Sequence, residues 1–165
     1  SFEEGSLVSP ATGQIDDLEE VADCPGIGGS GTRIGIFLSV FDVHVTCAPV
    51  SGRIRSNEFV PGRFCNAMSR NVGPVNQRNE IVLETEIGVP VFMRQISGAI
   101  ARRVVFEPVL GDRIQAGAIV GMIRFGSRVE LFIPENSGFQ FCVHLGDRVT
   151  AGKTVLGRIH PSPNP

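Results

Sequence analysis

Lysine is almost missing from this chain: Lys153 stands alone beside fourteen arginines. Lysine is the amine that forms Schiff bases and carries lipoyl or biotinyl groups, whereas arginine binds carboxylates and phosphates through a planar fork. The scarcity of lysine therefore leaves few routes to lysine chemistry.

Closely spaced cysteines are also absent. The four cysteines are Cys24, Cys47, Cys65 and Cys142, and they form neither a CxxC pair nor a zinc-finger arrangement with histidine. Free cysteines behave as small hydrophobic residues in a reducing compartment, so we expect four buried thiols and no metal site.

No run of about 18 apolar residues occurs, which argues against a membrane-spanning helix. The formal net charge is only −2, which gives no general attraction to nucleic acid. The chain begins at Ser1 without an initiator methionine, and we expect a missing upstream segment in which any membrane anchor would lie. Hydrophobic residues make up 42% and charged residues 19%, so we expect one globular domain over residues 1–165.

The apolar segments are short, rich in Val, Ile or Phe, and bounded by Gly, Pro, Asp or Asn, which predicts strands. They are 32–40, 81–85, 89–96, 100–106, 118–123 and 129–133. The acidic segment 14–23 fits either a short helical turn or a strand at a sheet edge. The polar segment 66–79 contains a Gly-Pro pair and predicts a long mobile loop.

An internal repeat supports an all-β fold. Residues 111–117 read GDRIQAG, residues 146–152 read GDRVTAG, and a short apolar strand follows each copy. Glycine supplies the positive φ of a tight turn, and Asp bonds the nearby backbone. Such repeats predict a mainly β, barrel-sandwich fold like that of lipoyl and biotinyl carriers. The tip where a carrier presents its lysine would lie near residues 124–128, which read RFGSR and contain no lysine.

The segment RFGSR contains a Gly-Ser pair. Such a pair alone marks an ordinary turn, but the sequence around this one is more specific. In order and spacing it resembles the phosphatidylserine decarboxylases, particularly the shorter bacterial and archaeal branch, over about residues 7–159. The matching segments are GMIRFGSRVELFIP (121–134), FLSVFDVHVTCAPVSGRI (37–54), VPGRFCNA (60–67), NQRNEIVLET (76–85) and ISGAIARRVVF (96–106).

In that family a serine hydroxyl attacks the preceding carbonyl, so the resemblance implies self-cleavage between Gly126 and Ser127. Ser127 would become a covalent pyruvoyl cofactor at the start of an α chain, 127–165, and residues 1–126 would form the β chain. Glycine at 126 permits the strained backbone that a close approach requires. The ketone takes up the electrons left by departing CO₂, as PLP does elsewhere, so no separate cofactor is expected.

The resemblance also implies that His44 handles the proton at the substrate α-carbon, because imidazole titrates near neutral pH. Asp42 either orients this imidazole or caps a turn. Phe37 and Phe41 either line a slot for an acyl chain or belong to a core strand. Arg78 either meets a phosphate or is a solvated loop charge. These alternatives remain open at this point.

Two positions depart from the family pattern. In the segment SPATG (9–13), Thr12 replaces the Asp of an Asp-His-Ser set that promotes self-cleavage, and a hydroxyl cannot carry the charge of a carboxylate. Cys47 stands where longer members have a second His, as is common in the shorter branch. Maturation therefore uses other groups, such as Asp42 or Cys47, or is slow or absent.

The sequence thus predicts a pyruvoyl-dependent decarboxylase that converts phosphatidylserine to phosphatidylethanolamine. Its partners would be a phospholipid substrate and the inner, cytoplasmic face of the cell membrane, and a homodimer is compatible with this prediction. One alternative is a decarboxylase of another amino acid or an ether lipid. The other is a non-processing barrel-sandwich protein that binds a lipid or a partner, which Thr12 favours.

Overall fold

Strands make up nearly all of the regular structure in the computed structural model, which describes residues 1–39, 42, 45–69, 71–99, 103–124 and 126–160. The strands are β1 (Ser6–Val8), β2 (Gly13–Val21), β3 (Gly31–Phe37), β4 (Val45–Cys47), β5 (Gly52–Val60), β6 (Arg78–Thr85), β7 (Pro90–Ile96), β8 (Val104–Phe106), β9 (Arg113–Ile114), β10 (Ile119–Ile123), β11 (Arg128–Pro134), β12 (Gln140–Phe141), β13 (Arg148–Val149) and β14 (Val155–Arg158), and a 3-10 helix covers Glu135–Ser137. The predicted mainly β fold is confirmed. The acidic segment 14–23 is largely strand β2 rather than a helical turn.

Three antiparallel sheets organise these strands. An eight-stranded sheet has the order β13-β2-β3-β11-β7-β6-β5-β9, and two small sheets have the orders β1-β14-β12 and β4-β10-β8. Strand β11 is central: Arg128 pairs with Phe37 of β3 on one side and with Ile96 of β7 on the other. The residues just before β11 therefore lie at one end of a strand that is central in the large sheet.

The sheets form two matching halves. One half, which we call the outer repeat, contains β1–β3 and β11–β14, and the other, the inserted repeat, contains β4–β10. Read from the centre of the large sheet, β11-β3-β2-β13 matches β7-β6-β5-β9, and β1-β14-β12 matches β4-β10-β8. The inserted repeat occupies the interval between β3 and β11 of the outer repeat, so the chain leaves one half, completes the other, and returns.

Backbone hydrogen bonds repeat in the two halves. In the inserted repeat, Gly111 N–H donates to Ile54 O at 2.8 Å, and in the outer repeat Gly146 N–H donates to Ile15 O at the same distance. The Asp that follows each of these glycines accepts a bond from a backbone N–H three residues before it. Residues 9–15 and 48–54 thus take equivalent places, a pairing that the sequence analysis does not identify.

The two faces of the large sheet differ in chemistry. Alternate residues such as Ile34, Ile36 and Leu131 join the main hydrophobic core, which lies on the face toward the small sheets. The opposite face carries charged side chains such as Arg33, Arg128 and Glu130. Among the described residues, no helix has the length and apolar character needed to cross a bilayer.

The cysteines divide into two pairs. Cys24 and Cys47 are buried, as expected, whereas Cys65 and Cys142 are exposed, so the expectation of four buried thiols is half wrong. Cys65 lies in the loop after β5, and Cys142 follows the short strand β12.

Candidate active site

The Gly126-Ser127 bond lies in a turn that enters β11, which we call the processing turn. Gly126 has φ +74°. Its N–H donates to Leu38 O at 2.6 Å, and Leu38 N–H donates to Ser127 O at 3.1 Å. These two bonds attach the turn to the end of β3, so the bond predicted to be cut is held in the sheet.

The inserted repeat contains the counterpart of this turn at Gly88-Val89, which we call the reference turn. Gly88 has φ +82°, its N–H donates to Thr85 O at 2.9 Å, and Thr85 N–H donates to Val89 O at 3.0 Å. The reference turn simply joins β6 to β7 as a hairpin. The processing turn is therefore the same hairpin end, opened by insertion of residues 39–125 between its two sides.

The Ser127 side chain is fully buried. By strand alternation it shares the core face with Val129 and Leu131. Its hydroxyl donates to the Arg124 carbonyl oxygen in a very short contact. This bond occupies the hydroxyl proton and leaves the oxygen lone pairs free, which is the state in which a hydroxyl acts as a nucleophile.

Gly98 lies against the other side of the same peptide. A Cβ built on Gly98 would be 1.8 Å from the Gly126 carbonyl oxygen and 2.8 Å from its carbonyl carbon, so no other residue type fits without a shift. The segment before Gly98 is held firmly, because Ser97 donates to Gln77 O from both its N–H and its hydroxyl, at 3.0 and 2.8 Å.

A loop between β5 and β6 holds this segment from behind. The Asn76 side chain is fully buried, and its amide donates to Ser97 O at 2.7 Å and to Cys65 O at 2.9 Å. Ala67 and Val72 of the same loop pack against Ile96. The predicted loop is thus present, but it ends before 78–79, which belong to β6, and several of its side chains are packed into the molecule.

Arg128, the residue after Ser127, is fully buried on the charged face. Its guanidinium pairs with Asp16 at 2.7 Å and with Glu130 at 3.2 Å, and it lies 3.8 Å from Asp17. Burial alone would lower the pKa of Arg128, but the carboxylates of Asp16 and Glu130 outweigh it and hold the pKa above its ordinary value. Gly35 leaves the space, since a Cβ there would be 1.9 Å from the Arg128 Nη2 atom.

A buried polar cluster fixes the strand that follows His44. Gln95 of β7 donates to the Thr46 hydroxyl at 2.9 Å and accepts from the Asn79 amide at 3.0 Å. Thr46 belongs to β4, which starts one residue after His44. His44 and Phe41 themselves lie outside the described residues, so their predicted roles stay predictions.

Asp42 is buried and caps a turn. Its carboxylate accepts the Ser39 N–H at 2.7 Å and the Ser39 hydroxyl at 2.9 Å, and it forms a close ion pair with Arg148. Burial alone would raise the pKa of Asp42, but the Ser39 and Arg148 donors outweigh it and hold the pKa below its usual value. The turn-capping interpretation therefore has direct support, and Asp42 is a poor proton acceptor near neutral pH.

The two described residues predicted to contact substrate have other partners. Arg78 pairs with Glu80 at 2.7 Å and donates to Asn76 O at 3.0 Å. Phe37 packs against the Ala67, Val72 and Ile96 cluster, on the opposite side of the sheet from Val129. Their contact with a phosphate or an acyl chain remains a prediction.

Comparison with known proteins decides the family. The sequence profile of the family described as phosphatidylserine decarboxylase matches residues 2–157. The chain belongs to the phosphatidylserine decarboxylase family. It is 43% identical over 157 residues to the phosphatidylserine decarboxylase proenzyme of Symbiobacterium thermophilum, covering 95% of this chain and 72% of that protein. The proteins of the same name from Zymomonas mobilis and Desulfotalea psychrophila are 39% and 41% identical, covering 98% and 93% of this chain and 68% and 71% of their own lengths.

Membership in the phosphatidylserine decarboxylase family, a family of carboxy-lyases, confirms the resemblance drawn from the sequence. The comparisons give no support to the non-enzymatic alternative. The word proenzyme in the relatives' names describes a precursor, which agrees with the zymogen expected here.

Relative to this decarboxylase family, the two unusual positions meet at one turn. Thr12 Oγ1 accepts the Ala151 N–H at 2.9 Å, and Cys47 Sγ would be 3.0 Å from a Cβ on the adjoining Gly152. Burial raises the pKa of the Cys47 thiol, so it stays protonated near neutral pH and is a poor base. Of the substitutes considered for the missing carboxylate, neither Cys47 nor Asp42 is suited to accept a proton.

Sequence reasoning missed several residues around the decarboxylase processing turn. Gly98, Asn76 and Arg124 contact it or hold its neighbours, and Leu38 supplies both of its backbone bonds. A glycine, an amide and two backbone carbonyls give no distinctive motif. The available signal was their position inside the matching segments.

Proposed function

We propose that this chain is a phosphatidylserine decarboxylase that matures by cutting itself between Gly126 and Ser127. The observation that carries the proposal is the processing turn itself: a Gly-Ser peptide with positive φ, its hydroxyl buried, in a chain whose relatives are named proenzymes. An ordinary surface turn would expose such a serine.

The cut starts as an N-to-O acyl shift. Ser127 Oγ bonds to the Gly126 carbonyl carbon, the C–N bond breaks, and the hydroxyl proton ends on the released amine. Loss of the Ser127 α-proton then expels the Gly126 carboxylate and leaves dehydroalanine. Water enters, ammonia leaves, and residue 127 ends as a pyruvoyl group. The hydrogen bond from Ser127 to Arg124 O orients the hydroxyl for the first step.

The surroundings of Ser127 fit a buried carbonyl cofactor. The side chain has no exposed surface, and β11 remains paired with both β3 and β7 beyond the cut. When formed, the ketone supplies the electron sink for loss of CO₂.

The proposed substrate is a phospholipid with a serine head group. His44 is proposed to transfer the proton at the substrate α-carbon, which is worth about 10² to 10⁴-fold in rate for a positioned group. Strand β4, the next described element after His44 in the chain, is anchored through Thr46 to Gln95 of β7. Because a diacyl lipid resides in a bilayer, we place the working enzyme at the cytoplasmic face of the membrane, as a peripheral protein. A homodimer is compatible with this proposal.

Intact mass of the purified protein under denaturing conditions tests the proposal. We expect two chains, 1–126 and 127–165, and reaction of the smaller chain with borohydride or hydroxylamine at its ketone. Ser127→Ala removes the nucleophile and should remain one chain. The cut protein should release CO₂ from phosphatidylserine vesicles and not from free serine.

A wild-type protein that stays at full length after long incubation, with an ordinary serine at 127, would contradict self-processing. Activity on free serine or an ether lipid alone would retain the decarboxylase and overturn its substrate.

A further inference from the structure

The backbone of the processing turn does not by itself distinguish it from the reference turn. The glycines have φ of +74° and +82°, and the paired hydrogen bonds are 2.6 and 3.1 Å in one turn and 2.9 and 3.0 Å in the other. Apart from the hydroxyl of Ser127, which Val89 lacks, any feature that singles out the Gly126-Ser127 bond must therefore lie outside the hairpin backbone.

Gly98 is such a feature. Its Cα lies so close to the Gly126 carbonyl that an added Cβ would be 1.8 Å from the oxygen. A bare Cα brings C–H groups against that oxygen, a weak but directional contact. In the register of β7 and β11, the position of the outer repeat that corresponds to Gly98 is Asn136, within the 3-10 helix. No described glycine has the Gly88 carbonyl among the three atoms nearest to its added Cβ.

The segment that bears Gly98 is rigidly supported. Ser97 makes two bonds to Gln77 O, and the fully buried Asn76 bonds Ser97 O at 2.7 Å. On its far side the processing turn is bonded to Leu38. The scissile peptide is therefore confined between two fixed strand ends.

We propose that Gly98 is a positioning residue for the self-cleavage: its bare Cα holds the Gly126 carbonyl in the orientation that Ser127 Oγ attacks. The step is the acyl shift described above, in which the O–C bond forms, the C–N bond breaks and the hydroxyl proton passes to the amine. This inference rests on the proposed function.

Gly98→Ala tests it directly. The methyl group must push the carbonyl aside, and a misplacement of about 1 Å costs about 10²-fold in rate, so we expect cleavage to slow by about that factor. Intact mass followed over time measures the rate, and the thermal midpoint shows whether the precursor is folded.

Gly52→Ala is the matched control. Its Cβ would be 2.1 Å from the Glu84 carbonyl oxygen and 2.8 Å from the carbonyl carbon, a nearly identical clash at the β5–β6 pairing. A general loss of packing would affect both variants alike. We expect only Gly98→Ala to slow the cut, and equal slowing in both variants would overturn the proposal.

Val89→Ser gives a second, independent test. It creates a Gly-Ser bond in the reference turn, with similar φ and hydrogen bonds but no glycine against its carbonyl. We expect no cut between residues 88 and 89. A cut there would show that the turn alone suffices and would overturn the proposal, even if Gly98→Ala failed to fold.

Hydroxylamine under denaturing conditions separates the steps, because it cleaves the ester that the acyl shift forms. Gly98→Ala should accumulate no ester, whereas an ester at Ser127 would place the defect after the attack and contradict the role proposed. If wild-type protein is not cut at all, the proposed function fails; if wild-type and Gly98→Ala proteins are cut equally fast, only the role of Gly98 fails.

Discussion

Thr12 has a structural counterpart that explains why a hydroxyl is acceptable there. Thr12 Oγ1 accepts the Ala151 N–H, and Ser51 Oγ in the inserted repeat accepts the Ala116 N–H, both at 2.9 Å. Each hydroxyl caps the turn that contains the Ala-Gly pair at the end of a GDRIQAG or GDRVTAG segment. The residue therefore performs the same backbone capping in both halves, and any carboxylate chemistry is an addition in the family rather than a requirement of the fold.

This equivalence makes Thr12→Asp a clean experiment. An Asp oxygen can accept the same Ala151 N–H, since Asp bonds local backbone donors readily. It also adds the charge that orients an imidazolium or accepts a proton, so we expect self-cleavage to speed up by about 10²-fold. The rate is measured by intact mass from a freshly made precursor.

Ser51→Asp is the control for that variant, because it makes the same change in the equivalent turn of the other half. It should leave the rate of the cut unchanged. Faster cleavage in both variants would point to a general charge effect, and no acceleration with Thr12→Asp would mean that another group promotes the reaction.

At the scale of single residues, sequence reasoning singled out those with a distinctive chemical type, and the catalytic roles of Gly126 and Ser127 stay predictions. Ser127 is buried, and Asp42 does cap a turn. Gly98 could not be predicted, because its importance depends on a carbonyl 28 positions away in the sequence. Burial of Arg128 could not be predicted either, since it requires the gap at Gly35 on a neighbouring strand.

At the scale of elements, a buried charged residue helps to hold the start of β11 against its neighbouring strand. Arg128 begins the strand, and its side chain is enclosed by carboxylates from β2 and from β11 itself. Removing one partner of such a buried set leaves uncompensated charge, which typically costs about 3–5 kcal/mol. Because the proposed cut would make residue 127 a chain end, this attachment would also limit fraying at the site.

Arg128→Met should therefore lower the free energy of unfolding by about 3–5 kcal/mol. The measurement is urea unfolding in a Ser127→Ala background, where no cut occurs and both proteins are single chains. Arg33→Met is the control: Arg33 pairs with Asp17 and Glu19 on the same face but is 22% exposed, so its loss should cost less. Equal unfolding midpoints for Arg128→Met and its parent would contradict this account.

The strand segments could be predicted from the sequence, but the equivalence of segments in the two repeats could be predicted only in part. Runs of Val, Ile and Phe marked β6, β7, β10 and β11 because strand formers and turn residues are local signals. The two Gly-Asp turns were recognised as copies because five of seven consecutive residues are identical. The equivalence of SPATGQI (9–15) and APVSGRI (48–54) was missed, since only Pro, Gly and Ile coincide.

At the scale of the whole molecule, the inserted repeat explains why the proposed cut lies between two distant parts of the chain. A hairpin like that at β6 and β7 needs only a short connection, but β3 and β11 are separated by residues 38–127. No local sequence pattern predicts a hairpin whose two strands are so far apart in the sequence. The returning chain re-enters the sheet at the processing turn, so a cut there divides the outer repeat and leaves the inserted repeat whole.

The two products of the cut should remain one folded unit. The smaller chain contributes β11 to the middle of the large sheet, β13 to its edge, and β14 to a pairing with β1 of the larger chain. Neither product retains a complete large sheet, so folding and association are coupled. Unfolding of the cut protein then releases two molecules, whereas unfolding of the precursor releases one.

The thermal midpoint of the cut protein should therefore rise with protein concentration, because mass action favours the associated state. The uncut Ser127→Ala protein provides the comparison and should show no such dependence if it is monomeric. Calorimetry over a hundredfold range of concentration measures both. A midpoint of the cut protein that is independent of concentration, or release of the 127–165 chain in native mass spectra, would show that the two chains fold separately and that the shared sheet does not bind them.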